Sequence, residues 1–178
     1  MSAAAAWAAG AAAVAVLAWY ALRSGAAGAA PVGAARTALA YEDGQPAGVV
    51  ELELVDGVEL VRGAAAAFRL MQSAAKAAGV ALRPTSGFRR MEDQQRLYQD
   101  LLEGRRTAAV ARPGYSNHQR GRVDRVRRRG PAVDIAVGGA GSEVHRWLVG
   151  NAGKYGFDDA EGRAVNEPWH WVYLGEQA

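Results

Sequence analysis

Residues 167–175 read EPWHWVYLG and residues 132–137 read AVDIAV, and these two stretches decide the fold. In the first, Trp169, Trp171 and Tyr173 alternate with His170 and Val172, so a strand here has two unlike faces. In the second, Asp134 is the single acid in an otherwise apolar strand. Upstream, VVELELVDGVEL (49–60) alternates apolar and acidic residues around Asp56-Gly57, a favoured hairpin turn. Val61, Ala64, Phe68, Met71, Ala75 and Ala78 recur at spacings of three and four, the stripe of a helix that Gly79 ends. A short strand is expected at Val80–Arg83. A second helix is expected over 91–103, with Leu97 and Leu101 inward and Gly104 past its end. Ser142 can cap a third, running to Asn151, with Val144, Trp147 and Leu148 buried. The elements mix without a βαβ rhythm, which predicts an α+β fold with a small antiparallel sheet and flanking helices.

At 178 residues the chain has room for one ordinary domain and a tail. Cysteine is absent, which excludes thiolate metal sites and a cysteine nucleophile; any metal must be held by nitrogen and oxygen. The net charge of +3 is local. Residues 120–129 (RGRVDRVRRR) carry six Arg and one Asp, and without them 15 basic residues face 17 acidic ones. Residues 3–22 carry no charge, and twenty residues at a helix's rise just cross a hydrocarbon core of roughly 30 Å. Trp19, Tyr20 and Arg23 close that run as interfacial residues do. The expectation is a membrane anchor or export signal over 1–23, a Gly-, Ala- and Pro-rich linker over 24–48, and the domain proper over 49–178.

Two of the three histidines sit in unusual settings. His118 lies in PGYSNHQRG, a polar stretch, and His170 occupies the strand face opposite two tryptophans. Asp134 would be costly as an unpaired ionised carboxylate inside a sheet. Two imidazoles and a carboxylate suit zinc with a fourth position left for water. Glu167, three residues before His170 and separated from it by Pro168, sits on the loop entering the strand and could shuttle a proton there. Each residue also has an ordinary reading, as a satisfied core histidine, a structural acceptor or a surface acid.

The segments SGFRR (86–90), SNHQRG (116–121), AVDIA (132–136), WLVGNAGKYGF (147–157) and EPWHWVYLG (167–175) occur in an order that resembles the VanY-type D-alanyl-D-alanine carboxypeptidases. More broadly they resemble the zinc peptidases that include lysostaphin-like enzymes and hedgehog-type domains. The likeness spans about residues 58–175. It implies zinc as cofactor, held by His118, Asp134 and His170, with Glu167 as catalytic base. It implies that Arg89 contacts substrate and polarises the scissile carbonyl, and that Ser116 helps seat the substrate. His145 matches no motif position. The implied substrate is a peptidoglycan stem peptide, which places the catalytic domain outside the membrane, on the periplasmic or cell-wall side.

The chain departs from the family pattern in one place. Ten residues, Arg122 through Pro131, separate Gly121 from Ala132 where the family has one. Loop closure costs grow slowly with length, so an extruded loop can leave both flanking ligands in place. Asp124 competes with Asp134 as a ligand but lacks its apolar strand setting. The arginine-rich insertion is expected near the active-site mouth, as a solvated loop or as a site for anionic polymers. Without interleaved aromatics or a recognised motif it does not suggest nucleic acid. Besides a carboxypeptidase, the sequence admits a peptidoglycan endopeptidase, an inactive wall-binding module, or a zinc-free binder of anionic polymers.

Overall fold

The Asp56-Gly57 pair forms a two-residue hairpin turn, both residues adopting the positive φ that this turn demands, 49° and 84°. In the computed structural model, which describes residues 36–175, this turn joins β2 (Gln45–Val55) to β3 (Val58–Val61). A second Asp-Gly turn at Asp43-Gly44 joins β1 (Arg36–Glu42) to β2. Of the linker expected over 24–48, residues 24–35 lie outside the described residues, and 36–48 form β1, the Asp43-Gly44 turn and the start of β2. Their Gly, Ala and Pro content masked an alternation in which Ala38 and Ala40 turn inward. The expected anchor at 3–22 lies outside the described residues. Among the described residues, no helix is long and apolar enough to cross a membrane.

Helix α1 (Arg62–Ala77) follows, and its buried stripe of Ala64, Phe68, Met71 and Ala75 is the expected one. Then come β4 (Pro84–Ser86), α2 (Met91–Leu102), a 3₁₀ turn at Asn117–Gln119, and β5 (Ala132–Ile135). Helix α3 (Glu143–Asn151), β6 (Phe157–Asp158), α4 (Ala160–Ala164) and β7 (His170–Tyr173) complete the order. Two antiparallel sheets result, β1-β2-β3 and β4-β5-β7-β6, so the α+β expectation holds with two small sheets in place of one.

Between the sheets and α1 lies an apolar core built on Leu60, Phe68, Met71, Val133, Ile135, Leu148, Phe157 and Trp171. Phe68 meets Phe157 edge to face at 6.0 Å. Each such side chain contributes about 1.5–3 kcal/mol by leaving water. Ser142 caps α3 by accepting from the His145 amide at 3.1 Å, as its position predicts.

Two local expectations are corrected. Val80 and Leu82 do point into the core, but 80–83 forms no ladder; pairing starts at Pro84–Ser86, where β5 runs alongside. In α2 the fully buried residue is Gln94, while Leu97 and Leu101 are only half-buried. A polar side chain takes the inward position because its partners, described next, belong to a site and not to the core.

Candidate metal centre

Alternation along β5 sends Val133 and Ile135 into the core and Asp134 to the opposite face. In register across the ladder, Asp134 faces His170 of β7, while Val133 faces Trp171. One strand pair thus builds apolar core on one side and a polar site on the other. His118 arrives from the 3₁₀ turn, where Ser116 accepts from the His118 amide at 3.3 Å.

The three side chains converge. His118 Nε2 lies 3.3 Å and His170 Nδ1 3.0 Å from Asp134 Oδ1, and one ligand atom from each residue falls within 4.8 Å of the others. Zinc bonds of about 2.0–2.2 Å set tetrahedral edges near 3.3–3.6 Å, so the set fits a common small cation. His118 Nδ1 lies 2.7 Å from the Gly87 carbonyl, which fixes the tautomer and leaves Nε2 as a lone-pair donor. His170 Nε2 is buried without a hydrogen-bond partner. Burial alone would raise the Asp134 carboxyl, but bonds from His118 and His170 outweigh it and hold the group well below the usual carboxylate range. For His170, burial pulls downward, yet the bond and charge of Asp134 leave its pKa raised.

These residues line a cavity of about 300 Å³ together with Arg89, Ser116, Glu161, Glu167 and Trp169. A larger hollow of about 580 Å³ beside α1, lined by Arg69, Gln72 and Lys76, brings no histidines or acids together. Arg89 donates to Gln94 Oε1 at 2.9 Å and to Ser86 Oγ at 3.4 Å, and its own amide donates to the His118 carbonyl at 2.7 Å. Burial lowers its pKa, while Asp134 and Glu167 counter that pull. Gln94 in turn donates to the Ala111 carbonyl at 2.7 Å, tying Arg89 to the opposite wall. Glu167 is seated by its backbone: its amide donates to the Gly162 carbonyl at 2.7 Å, and its carbonyl accepts from the His170 amide at 3.0 Å. Trp171 is core, whereas Trp169 is 41% exposed and forms cavity wall.

All six residues singled out in the sequence, Arg89, Ser116, His118, Asp134, Glu167 and His170, line this one cavity. Sequence reasoning missed Gln94, for which a polar residue on the inward face of α2 was the available signal, and Glu161, for which no motif existed. Asp124 is not in the cluster. It caps its own loop, accepting from the Arg127 amide at 3.0 Å. His145 also lies apart, accepting from the Gly141 amide at 3.2 Å.

The arginine-rich insertion corrects an expectation. It is a small ordered hairpin bridged at Asp124 and Arg129, and none of its residues lines the cavity. Arg128 pairs with Asp158, Arg129 with Asp43 at 3.0 Å, and Arg127 with Asp124 at 3.4 Å. Arg125 donates to the Leu174 carbonyl at 3.0 Å. Arg120, just before it, is buried against Glu42 and Asp43. Two of the loop's arginines, Arg128 and Arg129, are thus answered by acids of β6 and of the β1–β2 turn, and the loop stands away from the cavity lining.

Residues 57–176 match the family model VanY: D-alanyl-D-alanine carboxypeptidase. This chain belongs to the VanY family. It is 36% identical over 128 residues to a D-alanyl-D-alanine carboxypeptidase of Enterococcus faecalis (strain ATCC 700802 / V583), covering 59% of this chain and 44% of the relative. Among solved structures, it resembles a mutant of the vancomycin-resistance D,D-pentapeptidase VanY from a VanB-type cassette in complex with Zn(II). That match has 31% identity and a TM-score of 0.53, over 71% of this chain and 79% of the other. VanYB in complex with D-alanine-D-alanine gives a TM-score of 0.54 at 31% identity, over 71% and 78%. The chain spans less than half the length of the curated relatives it matches. The VanY match begins after β2, so the Asp43-Gly44 hairpin lies outside it.

Proposed function

We propose that this VanY-family chain is a zinc-dependent D-alanyl-D-alanine carboxypeptidase acting on peptidoglycan stem peptides. The observation that carries the reading is the convergence of His118, Asp134 and His170 in a cavity shared with Glu167 and Arg89. His118 Nε2, Asp134 Oδ1 and His170 Nδ1 would hold the ion. A bound zinc supplies a Lewis acid and makes a hydroxide-like nucleophile available near neutral pH.

This chain's own residues do the rest. Glu167 takes the proton released as the nucleophile forms and returns it to the leaving amine, so that water adds across the C–N bond and free D-alanine departs. Arg89 has two of its donors spent on Gln94 and Ser86. Its remaining donors are free to meet a developing oxyanion or a substrate carboxylate. Ser116 fixes the His118 turn at the cavity edge, and Trp169 offers an apolar wall for the alanine methyls. Because mature wall lies outside the membrane, the reading places the domain on the outer side, with residues 3–22 as anchor or export signal.

The test is release of D-alanine from a stem pentapeptide ending in D-Ala-D-Ala, compared with the same peptide carrying a C-terminal amide. A carboxypeptidase releases D-alanine from the free acid and spares the amide. Equal cleavage of both, or cleavage within the stem, overturns the carboxypeptidase reading in favour of an endopeptidase.

A further inference from the structure

The two histidines of the cluster are not equally supported. His118 has its outward nitrogen satisfied by the Gly87 carbonyl. His170 turns Nδ1 toward Asp134, and its Nε2 is buried with no hydrogen-bond partner. An imidazole that gives the Nδ1 lone pair to a cation must carry its proton on Nε2. A buried N–H without an acceptor costs about 1–3 kcal/mol. The carboxylate facing that nitrogen is Glu161, with Oε1 3.9 Å away.

Glu161 is itself steered. Its other oxygen accepts from Asn117 Nδ2. Asn117 Oδ1 accepts from Arg120 Nε at 2.8 Å, and the buried Arg120 guanidinium meets Glu42 and, at 3.3 Å, Asp43. A polar chain thus runs from the β1–β2 turn, outside the VanY match, to the edge of the metal cluster. Gly162 makes the approach feasible: a Cβ there would stand 2.5 Å from the His170 carbonyl and 2.6 Å from that of Glu167, so α4 rides directly on the loop that carries both.

We infer that Glu161 is a positioning residue that accepts the Nε2–H of His170 and aims its Nδ1 at the metal, held for this by Asn117, Arg120 and the N-terminal hairpin. The inference rests on the zinc reading above. Carboxylates in this relation to a metal-bound histidine fix the ring and raise its basicity, and losing them weakens metal binding by about 10–100-fold.

The test is zinc affinity of the full chain, by competition with a fluorescent chelator, beside the melting temperature of the metal-free protein. Glu161→Ala weakens zinc by about 10–100-fold while the metal-free protein still melts cooperatively. Glu161→Gln, which keeps an acceptor oxygen, recovers most of the affinity, and Asn117→Ala falls between. Binding within twofold of wild type in Glu161→Ala overturns the positioning role while leaving the zinc reading intact. A wild-type chain that binds no zinc overturns the zinc reading first, and this inference with it.

Discussion

Asp134 Oδ1 and His170 Nδ1 stand 3.0 Å apart, an ion pair whenever His170 is protonated, and the same two groups must change partners when zinc binds. The sign of each pKa shift then fixes how the metal-free protein responds to pH. His170 is raised, so its pairing contributes stability fully below about pH 6.5 and loses it as pH climbs through the raised value. Asp134 is lowered, so its contribution is present above about pH 3.9 and disappears only as pH falls through its depressed value. The metal-free chain therefore gains from this pair between those limits. Zinc needs His170 neutral, so its binding releases a proton wherever the pair is charged. We expect the rise in melting temperature on adding zinc to be larger at about pH 8 than at about pH 5.5. Paired melts with zinc and with a chelator check this, and an equal or larger rise at the acid pH contradicts it.

Among the elements, the β1–β2 hairpin changes most from what the sequence suggested. A chain begun at residue 45 would lose β1 together with Glu42 and Asp43, leaving the buried Arg120 guanidinium without its acids. Stripping the partners from a buried charge costs several kcal/mol. Such a truncation should melt well below one begun at residue 35. Equal melting of the two truncations would refute the hairpin's role. The hairpin was hard to read because alanine and glycine give little contrast between inward and outward positions, although Asp43-Gly44 carries the same turn signal as Asp56-Gly57. By contrast, α1 and α3 were legible from a stripe with Phe68 and Met71 and from the Ser142 cap. The core site was legible because an acid in AVDIAV and a histidine in EPWHW stand out on apolar strands. Glu161 was not, since its significance comes only from α4 lying against β7. Nor could the Arg122–Pro131 insertion be placed, because its acids, Asp43 and Asp158, are distant in sequence.

At the scale of the whole molecule, β5 and β7 divide the labour. One face closes over Phe68, Leu148 and Trp171, and the other holds His118, Asp134 and His170 above the cavity. That rigid backing is what a metal site requires, since ligands must be held where the ion will be, and Glu167 reaches the same cavity from the loop entering β7. The central claim is that the three ligands hold zinc while Glu167 moves protons without holding the ion. The measurement that addresses it most directly is zinc content together with D-alanine release for the full-length wild type, His170→Ala and Glu167→Gln. The account predicts one zinc per wild-type chain, loss of zinc and turnover in His170→Ala, and retained zinc with turnover down by about 10²–10⁴-fold in Glu167→Gln. A folded wild-type chain that stays metal-free and inert after zinc is added, or a Glu167→Gln chain with undiminished turnover, would contradict it.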